Sequence, residues 1–474
     1  MTRDLIDQLS GKPENDIGNA QRFTARHGTE VMFVAGIGWM RWDSRRWAED
    51  AAGVRLMAQE TVAGIKDEAS RLSDSDAARR RFSWALQSGK TARISAMLTE
   101  AEPHLMRGVE ELNPSPTLLN VANGTLDLRA GLLVAHEPEN LITRIAPIDY
   151  DPEAEAPTWQ SVLERFLPDA EVRSFLWRWA GYTATGLTSE QAFLFAYGTG
   201  GNGKTTITGA IQRCLGDYAA NVPFEVLAHD DRRSGNAASP ELARLAGARM
   251  VIASEPDLGT RFSESLIKQL TGGDVITARR LYHEPVEFRP AFKLCIYGNH
   301  RPAIRGGDHG IWRRVLLMPF EQAMPDHERI PLNVMEERLD AEAAGILTWI
   351  TTGARQWFEH GLMVPEIIRA ATDEYRAEND PLSEFLTERI ILNTSSRVQA
   401  KNLFKSYEAW CEAEGQQPMT QTLFGRMMVE RGYKKERVGV VFYKGIELRN
   451  ADSSLQTVHS ENRYDSKAFA GNYQ

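Results

Sequence analysis

The stretch YGTGGNGKTT, residues 197–206, constrains this chain more than any other part of its sequence. Four glycines in ten residues leave too few side chains to pack a core, and the spacing fits G-x-x-x-x-G-K-[ST]. An apolar run, residues 192–196, precedes the motif, and a helical pattern follows it. Backbone N–H groups of such a loop can curl around phosphate oxygens, which the dipole of the following helix also favours. We therefore predict a site for a nucleoside triphosphate, with ATP as the first candidate, rather than an ordinary glycine-rich turn.

The residue types within the motif assign roles to individual side chains. Lys204 is expected to bridge the β- and γ-phosphates, and the hydroxyl of Thr205 is expected to ligate Mg²⁺. The other loop residues offer backbone donors to the phosphates. They are Gly198, Gly200, Gly201, Asn202, Gly203 and Thr206.

Three later segments place polar residues next to apolar runs, where a phosphate loop would need them. ARMVIASEPD delivers Glu255, which is predicted to activate the attacking water or to hold Mg²⁺ through water. FKLCIYGNHRP ends in Asn299, which is predicted to sense the γ-phosphate or to orient the water. In GIWRRVLLMPF, Arg313 and Arg314 precede a strand, and one of them could serve a neighbouring subunit as an arginine finger. Each segment also has a simpler interpretation. Glu255 could be an ordinary surface residue, Asn299 could belong to a local turn, and the two arginines could be a solvated flank of the strand.

A hairpin is predicted between the glutamate and asparagine segments. Val275–Arg280 and Val286–Phe288 are expected to pair, with Leu281–Pro285 at the tip. Basic and aromatic groups together suit a nucleic-acid backbone and its bases, although a solvated exposed hairpin would have the same composition. The residues in question are Arg279, Arg280, Tyr282 and His283.

Composition limits the class of protein. The chain has 474 residues, 42% of them hydrophobic, and a formal net charge of −9, which argues against a surface coated in basic residues for bulk nucleic-acid binding. The three cysteines show no zinc spacing and no disulfide framework, so a reducing cytoplasm, in a bacterial cell or the host of a mobile element, is expected. The sequence contains no run of about eighteen apolar residues, so no membrane span is predicted.

Short apolar runs alternate with helical patterns between residues 191 and 325, which predicts an α/β sheet with ligands at the strand ends. The runs are AFLFAYG, ARMVIASE, FKLCIYGN and RRVLLMPF. Changes in composition and hydrophobic pattern elsewhere predict the other parts of the chain. They are an N-terminal α+β domain (1–155), a helical collar segment (156–190), the α/β core (191–325), a helical segment packing on that core (326–380), a small domain of two helices and a two-stranded wing (381–450), and a flexible tail (451–474).

The motif set, in this order, resembles that of superfamily 3 helicases. Wider stretches, including NGTLDLRAGLLVAHEPENLITR, KQLTGGDVITARRLY and IWRRVLLMPF, resemble the C-terminal helicase part of phage and plasmid primases, which poxvirus-type primase-helicases share. The resemblance covers about residues 15–450. It implies an AAA+-type P-loop core, ATP and Mg²⁺ as cofactors, and a ring, in the family a hexamer, with hairpins in a central channel. The two helices and wing of residues 381–450 separately resemble a winged helix.

The resemblance also implies residue roles. Gly198, Gly203, Lys204 and Thr205 match Walker A, Asn299 matches motif C, and Arg313 and Arg314 match the arginine-finger motif, with Arg314 favoured. Glu255 matches the Walker B acid, and many members have two adjacent acids there, whereas Ser254 and Pro256 are its neighbours here. Lys268, Gly273 and Asp274 fall in the B′ motif, and Tyr282 and His283 fall at the DNA-contacting hairpin tip, where some viral relatives have Lys-His. The expected DNA-side residues are therefore Lys268, Arg279, Arg280, Tyr282 and His283.

The sequence predicts an ATP-dependent replicative DNA helicase of a phage, prophage or plasmid that moves on single-stranded DNA as a ring. A DNA-binding ATPase switch without processive unwinding and a monomeric P-loop kinase stay open as alternatives. The match begins near residue 15, so no primase module is expected, and the Asp149 and Asp151 pair is interpreted as part of a linker. A separate primase or polymerase is a possible partner. Two sets of basic residues are less informative: a basic face from Arg426 to Arg437 would suit phosphates or solvent, and Arg79, Arg80 and Arg81 are expected to be solvated.

Overall fold

The computed structural model describes residues 3–229, 240–254, 256, 260–279, 285–304, 309–380 and 382–449. Within these residues the chain divides into two compact units, residues 1–376 and 377–474, which we describe separately. Among the helices so described, none has the length and apolar character to cross a membrane. The finer division of the first unit stays a prediction, and the predicted tail, 451–474, lies outside the described residues.

The N-terminal part of the first unit combines helices with a small sheet. The run EVMFVAGIGWMRWDSRRW predicts a β-hairpin or meander. Three consecutive strands form an antiparallel meander there, and a fourth strand pairs in parallel with the first of them. Asn15 and Asp50 cap the helices that flank the meander, each by accepting a hydrogen bond from a backbone N–H in the first turn. The helices are α1 (Arg3–Ser10), α2 (Asp16–His27), α3 (Ala51–Arg71), α4 (Ser75–Ser88) and α5 (Thr91–Leu105), and the strands are β1 (Val31–Val34), β2 (Gly38–Trp42), β3 (Trp47–Glu49) and β4 (Met106–Arg107).

A buried carboxylate joins α2, α3 and α4. Glu68 accepts hydrogen bonds from Arg22 at 2.9 Å and from Arg81 at 2.7 Å, and Arg26 lies 3.4 Å away. Both Arg22 and Arg81 also donate to backbone carbonyls of the chain between α1 and α2. The expectation that Arg81 is solvated is therefore wrong, because three helices converge on a single acid.

A three-stranded antiparallel sheet and two helices lead into the core. The stretch NGTLDLRAGLLVAH predicts two short strands around Arg129–Gly131. Both strands are present, and a third strand precedes them. These elements are β5 (Leu118–Val121), β6 (Gly124–Asp127), β7 (Leu132–Val134), α6 (Pro157–Phe166) and α7 (Ala170–Ala184).

The core is a five-stranded sheet in which every neighbouring pair is parallel. Its order is β14-β8-β13-β10-β9. All four predicted strands are confirmed, whereas β9 was missed because its sequence, AANVP, has no apolar run. The elements are β8 (Phe193–Tyr197), α8 (Lys204–Leu215), β9 (Ala219–Pro223), α9 (Pro240–Ala243), β10 (Met250–Ser254), α10 (Glu264–Gly272), β11 (Ile276–Arg279), β12 (Pro285–Phe288), β13 (Lys293–Gly298), α11 (His309–Trp312) and β14 (Val315–Pro319).

The parallel direction fixes what each edge of this sheet presents. The residues that follow β8, β10 and β13 meet at the carboxyl edge, whereas the residues that precede β14 stand at the amino edge. Because β13 is inserted between β8 and β10, the residues after β13 lie directly beside those after β8.

Helices close one face of the sheet. Helix α13 packs on α7 so tightly that a Cβ on Gly181 would come 2.0 Å from the backbone nitrogen of Ala354. Apolar side chains of α7, α8 and α13 form one core with that face. The helices that follow the sheet are α12 (Leu332–Ala341), α13 (Ala343–His360) and α14 (Glu366–Glu378). Short 3-10 turns cover Val109–Glu111, Pro138–Asn140, Gly216–Tyr218, Phe224–Val226 and Asp326–Glu328.

The second unit has one more helix and one more strand than predicted. Its three-stranded antiparallel sheet has the order β15-β17-β16, and the helices pack their own core with it. The runs RVGVVFY and GIELRN predict two wing strands with a turn at Lys444 between them, which is wrong. Val438 pairs with Val440, so the chain turns at Gly439 and β17 runs through Gly445. The elements are α15 (Ser383–Arg389), β15 (Ile390–Gln399), α16 (Ala400–Ala413), α17 (Gln421–Glu430), β16 (Lys435–Val438) and β17 (Val440–Leu448).

Candidate nucleotide site

The glycine-rich loop connects β8 to the first turn of α8, as its motif requires. Gly201 and Gly203 have φ of +76° and +81°, in the left-handed region that favours glycine. A Cβ on Gly203 would also lie 2.3 Å from the ring of Phe166 at the end of α6. Backbone conformation and close packing therefore both require glycine here.

The ammonium group of Lys204 lies among oxygens of the loop. It donates to the carbonyl oxygens of Gly198 and Thr199 at 2.5 and 2.9 Å and to the side-chain oxygen of Asn202 at 2.9 Å. Its fourth contact is the side-chain oxygen of Asn299, 3.2 Å away and just past the end of β13. Two residues predicted to act on the γ-phosphate are thus brought into hydrogen-bonding distance, although their roles stay predictions.

The amide of Asn202 fixes the loop to the neighbouring strand. Its nitrogen donates to the carbonyl of Phe320 at 2.7 Å, while its oxygen accepts from Lys204. Asn202 is buried, so its side chain supports the loop rather than facing solvent. Gly198, Gly200 and Thr206 complete the loop and the first turn of the helix, with Gly200 exposed.

The residue types at the head of α8 fit a metal bound together with phosphates. Thr205 is exposed in the first turn, so its hydroxyl is accessible to a ligand. Glu255, the second predicted metal residue, lies outside the described residues and follows Ser254, the last residue of β10. Within the described part of the chain, no group of three or more His, Cys, Asp or Glu is placed to hold a metal.

The two predicted finger arginines stand at the amino edge of the sheet, before β14. In the register of β14 with β8, Val315 faces Phe193 and Pro319 faces Tyr197. The arginines thus lie at the start of β14, while the loop begins at its end. Five strand residues at about 3.3 Å each separate the two by roughly 16 Å. No arginine side chain spans such a distance to its own loop.

The same two arginines differ in exposure. Arg313 is exposed and donates to the side-chain oxygen of Gln191 at 3.1 Å. Arg314 is buried and donates to the hydroxyl of Thr271 at 3.1 Å and to the carbonyl of Gly310. Arg313 is therefore the exposed member of the pair, whereas the resemblance favoured Arg314, and the finger role stays a prediction.

The predicted hairpin is present. Strands β11 and β12 pair antiparallel from Ile276 with Phe288 to Arg279 with Pro285. Arg279 is exposed at the end of its strand, and Lys268 is half-buried on α10. The other predicted DNA contacts, Arg280, Tyr282 and His283, lie outside the described residues.

Two further buried cations occupy the amino edge of the sheet. Lys293 donates to the carbonyls of Thr185 and Leu187, just after the end of α7, and lies 4.7 Å from the ring centroid of Tyr182. Arg249 donates to the carbonyl of Ala184 and lies over the ring of Tyr218. Burial lowers the pKa of Lys293 well below its ordinary value, and the nearby Arg249 lowers that pKa further. Arg249 thus satisfies the last carbonyl of α7, and Lys293 satisfies carbonyls of the residues that follow it.

The basic residues of the second unit have different environments. Arg431 forms an ion pair with Asp380, so its charge is used within the unit. Four others are exposed: Arg426 on α17, Lys434 just before β16, and Lys435 and Arg437 on β16. Lys435 lies 5.5 Å from the ring centroid of Tyr443.

Three family matches cover separate parts of the chain. Residues 20–168 match the family described as D5 N terminal like, and residues 377–450 match the family described as Poxvirus D5 protein-like. Between them, residues 196–314, which include the glycine-rich loop and Asn299, match a family of unknown function, DUF5906.

Curated viral proteins are similar over much of the chain. A candidate helicase of Acanthamoeba polyphaga mimivirus is 29% identical over 332 residues, which cover 65% of this chain and 34% of that protein. A candidate helicase of Frog virus 3 is 28% identical over 52% of this chain and 27% of its own length. A candidate primase of African swine fever virus is 24% identical over 64% of this chain and 34% of its own length. The chain thus spans about a third of the length of these relatives.

Among solved structures, the C-terminal region of NrS-1 in its A form aligns with a TM-score of 0.41 and 14% identity. That alignment covers 65% of this chain and 79% of the other.

Proposed function

We propose that this chain, which carries D5 N terminal like and Poxvirus D5 protein-like domains and is homologous to viral proteins named as candidate helicases and primases, is the ATP-driven motor part of a replicative DNA helicase. The motor acts as a ring of identical subunits, of the AAA+ and superfamily 3 type, on single-stranded DNA. The single observation that carries this proposal is the separation of Lys204 and Arg313 on opposite edges of one parallel sheet.

Each chain supplies the binding half of the site. Lys204 and the backbone of Gly198–Thr206 hold the phosphates of ATP, and Asn299, already in contact with Lys204, orients the attacking water. The hydroxyl of Thr205 and the carboxylate of Glu255 are the residues that would hold Mg²⁺, and Glu255 would also activate the water. Mg²⁺ bound there would neutralise charge that develops on the phosphates during transfer.

A neighbouring chain supplies the other half. Arg313 is exposed and stands roughly 16 Å from its own loop, so it can complete the site of the next subunit but not its own. Arg314 keeps the turn before β14 in place through Thr271 and Gly310. Such a head-to-tail contact closes into a ring when the rotation between subunits permits.

The hairpin β11–β12 is the DNA-side element of the proposal. Its inner residues pack in the core of the sheet, while Thr277 and Arg279 are exposed on its outer side. In a ring, the copies of Arg279, together with Arg280, Tyr282 and His283, would gather into a local cationic channel on a chain whose net charge is −9. Lys268 on α10 is a further DNA-side candidate, and the exposed basic residues of the second unit, whose elements we assign to a winged helix, are candidates for contact with the duplex.

The test is strand displacement on forks that carry a 3′ or a 5′ single-stranded tail, with the Lys204→Ala variant as the matched control. We expect displacement that requires ATP and Mg²⁺, favours one tail, and is absent from the variant. Absence of displacement on both forks, with ATP hydrolysis that DNA does not stimulate, would contradict the proposal.

A DNA-binding ATPase switch would use the same sheet and the same loop. It would be identified by hydrolysis that DNA stimulates without displacement on either fork. Size-exclusion chromatography with ATP separates both functions from a monomeric P-loop kinase, because a kinase needs no arginine from a second chain.

A further inference from the structure

The chain segment after β14 is attached to the glycine-rich loop along its length. The backbone N–H of Phe320 donates to the carbonyl of Tyr197 at 2.7 Å, and the N–H of Met324 donates to the carbonyl of Gly201 at 2.9 Å. With the bond from the side chain of Asn202 to the carbonyl of Phe320, three hydrogen bonds join this segment to the loop. The segment therefore has a fixed position relative to the phosphate cradle.

Arg329 lies at the end of this segment, against the loop itself. The guanidinium approaches Gly201 so closely that a Cβ on that glycine would be 2.7 Å from Nη2 and 3.1 Å from Cζ. The Nε of Arg329 donates to the carbonyl of Met324 at 3.2 Å, which orients the side chain toward the loop. Arg329 is nevertheless exposed, so the group is accessible to a ligand in the cradle.

The loop beside Arg329 contributes positive charge and no negative charge. Residues 197–206 contain no acidic side chain, and Lys204 is their one cation. Glu328, next to Arg329 in sequence, lies 2.5 Å from Arg165 of α6, so its charge is balanced by a different element. A guanidinium offers planar, paired donors that match the oxygens of a phosphate group.

We propose that Arg329 is a second phosphate-binding cation of the nucleotide site, acting on the nucleotide held by its own chain. This inference rests on the proposed function, since it presumes that the loop binds a nucleoside triphosphate. It assigns to Arg329 binding of the polyphosphate in the ground state, in contrast to Arg313, which acts on the site of another chain during hydrolysis. No motif marks Arg329 in the sequence, because it lies ten residues past β14 in a segment of irregular structure.

The experiment is nucleotide titration and steady-state hydrolysis with the full chain and the Arg329→Ala variant. We expect the Kd for ATP and for ADP to rise about tenfold, or about 1.4 kcal/mol, with a parallel rise in KM and a kcat within about twofold of the wild type. The loss should shrink as salt is added, because the interaction is between charges near the surface. Arg329→Lys should recover most of the affinity, since it retains the charge.

Arg338→Ala is the matched control, because Arg338 is also an exposed arginine and lies on α12. It should bind ATP as the wild type does. Wild-type Kd values in Arg329→Ala would overturn this inference and leave the proposed function intact, whereas a wild-type chain that binds no nucleotide would overturn the proposed function itself. A loss of thermal stability in Arg329→Ala without nucleotide, which Arg329→Lys fails to restore, would assign the residue a structural role and also overturn the inference.

Discussion

Two buried lysines stand at opposite edges of the same sheet and have different kinds of partners. Lys204, at the carboxyl edge, contacts two carbonyls of a glycine-rich loop and two side-chain amides. Lys293, at the amino edge, contacts carbonyls at and after the end of α7 and lies beside the ring of Tyr182.

The difference separates a functional cation from a structural one. The oxygens around Lys204 belong to a loop whose glycines can readjust, so phosphate oxygens can take over as partners at modest cost. The oxygens around Lys293 end a helix that packs on α13, and they have no such freedom. Replacement of Lys204 should therefore affect function, and replacement of Lys293 should affect stability.

The largest expected effect tests the carboxyl edge. Lys204→Ala should abolish ATP hydrolysis, because the ammonium group is the main cationic contact of the β- and γ-phosphates. Its free energy of unfolding without nucleotide should change by no more than about 1 kcal/mol. Phosphate release measures hydrolysis, and chemical denaturation measures the free energy of unfolding. A Lys204→Ala variant that keeps a substantial part of the wild-type turnover would show that Lys204, like Lys293, has mainly a structural role.

The next effect concerns the arginines at the amino edge. Arg313→Ala should lower kcat by about 10³-fold with ATP binding retained, because the proposed finger acts only in hydrolysis. Arg314→Ala should instead lower the free energy of unfolding by about 1–3 kcal/mol, since it removes the buried donor to the Thr271 hydroxyl and to the Gly310 carbonyl. Turnover and thermal unfolding of both variants show which arginine acts in hydrolysis and which supports the fold. Normal hydrolysis by Arg313→Ala would refute its assignment as the finger.

A smaller effect is expected at Asn299. Asn299→Ala should lower kcat by about 10²-fold, as loss of one preorganised polar group does, and should change the Kd for ATP little. Single-turnover hydrolysis beside equilibrium titration measures both. A rise in Kd with unchanged kcat would show that Asn299 only supports the lysine.

The smallest functional effect is predicted for Lys293. Lys293→Met should unfold more easily by about 1–3 kcal/mol, because carbonyls at the end of α7 lose their donor, while ATP turnover stays near that of the wild type. The difference in unfolding free energy between wild type and Lys293→Met should also depend on pH. The buried lysine of the folded chain has a lowered pKa, so between that pKa and about 10.4 the unfolded chain binds more protons and the wild type gains stability as pH rises.

Denaturation of both proteins at several pH values from 7 to about 10 tests this, and the stability gap between wild type and variant should widen with pH. A gap that narrows would mean that the folded chain binds the proton more tightly than the unfolded chain does.

Much of the sheet could be predicted from sequence because its buried strands are short apolar runs next to polar turns. The edge strand β9 and the strand β15 escaped prediction, since their exposed residues leave no apolar pattern. The wing turn was misplaced because Gly439 and Gly445 both have positive φ, and nothing local distinguishes the turn from a glycine within a strand.

The residues that follow parallel strands could be predicted to meet at one edge of the sheet, because strand direction alone places them there. Asn299 was expected near the loop, and the insertion of β13 beside β8 places it there. The choice between Arg313 and Arg314 depends on Thr271, 43 residues away in sequence, and the position of Arg329 depends on the path of an irregular segment. Such contacts between distant parts of the chain have no signature in a single sequence.

The central claim is that each nucleotide site is completed by an arginine from a second chain, and mixing two inactive variants tests it most directly. Lys204→Ala and Arg313→Ala proteins should each hydrolyse ATP poorly. An equimolar mixture should regain up to about a quarter of the wild-type turnover, because random assembly pairs an intact loop with an intact arginine at that fraction of interfaces. A mixture no more active than its separate components would contradict the claim.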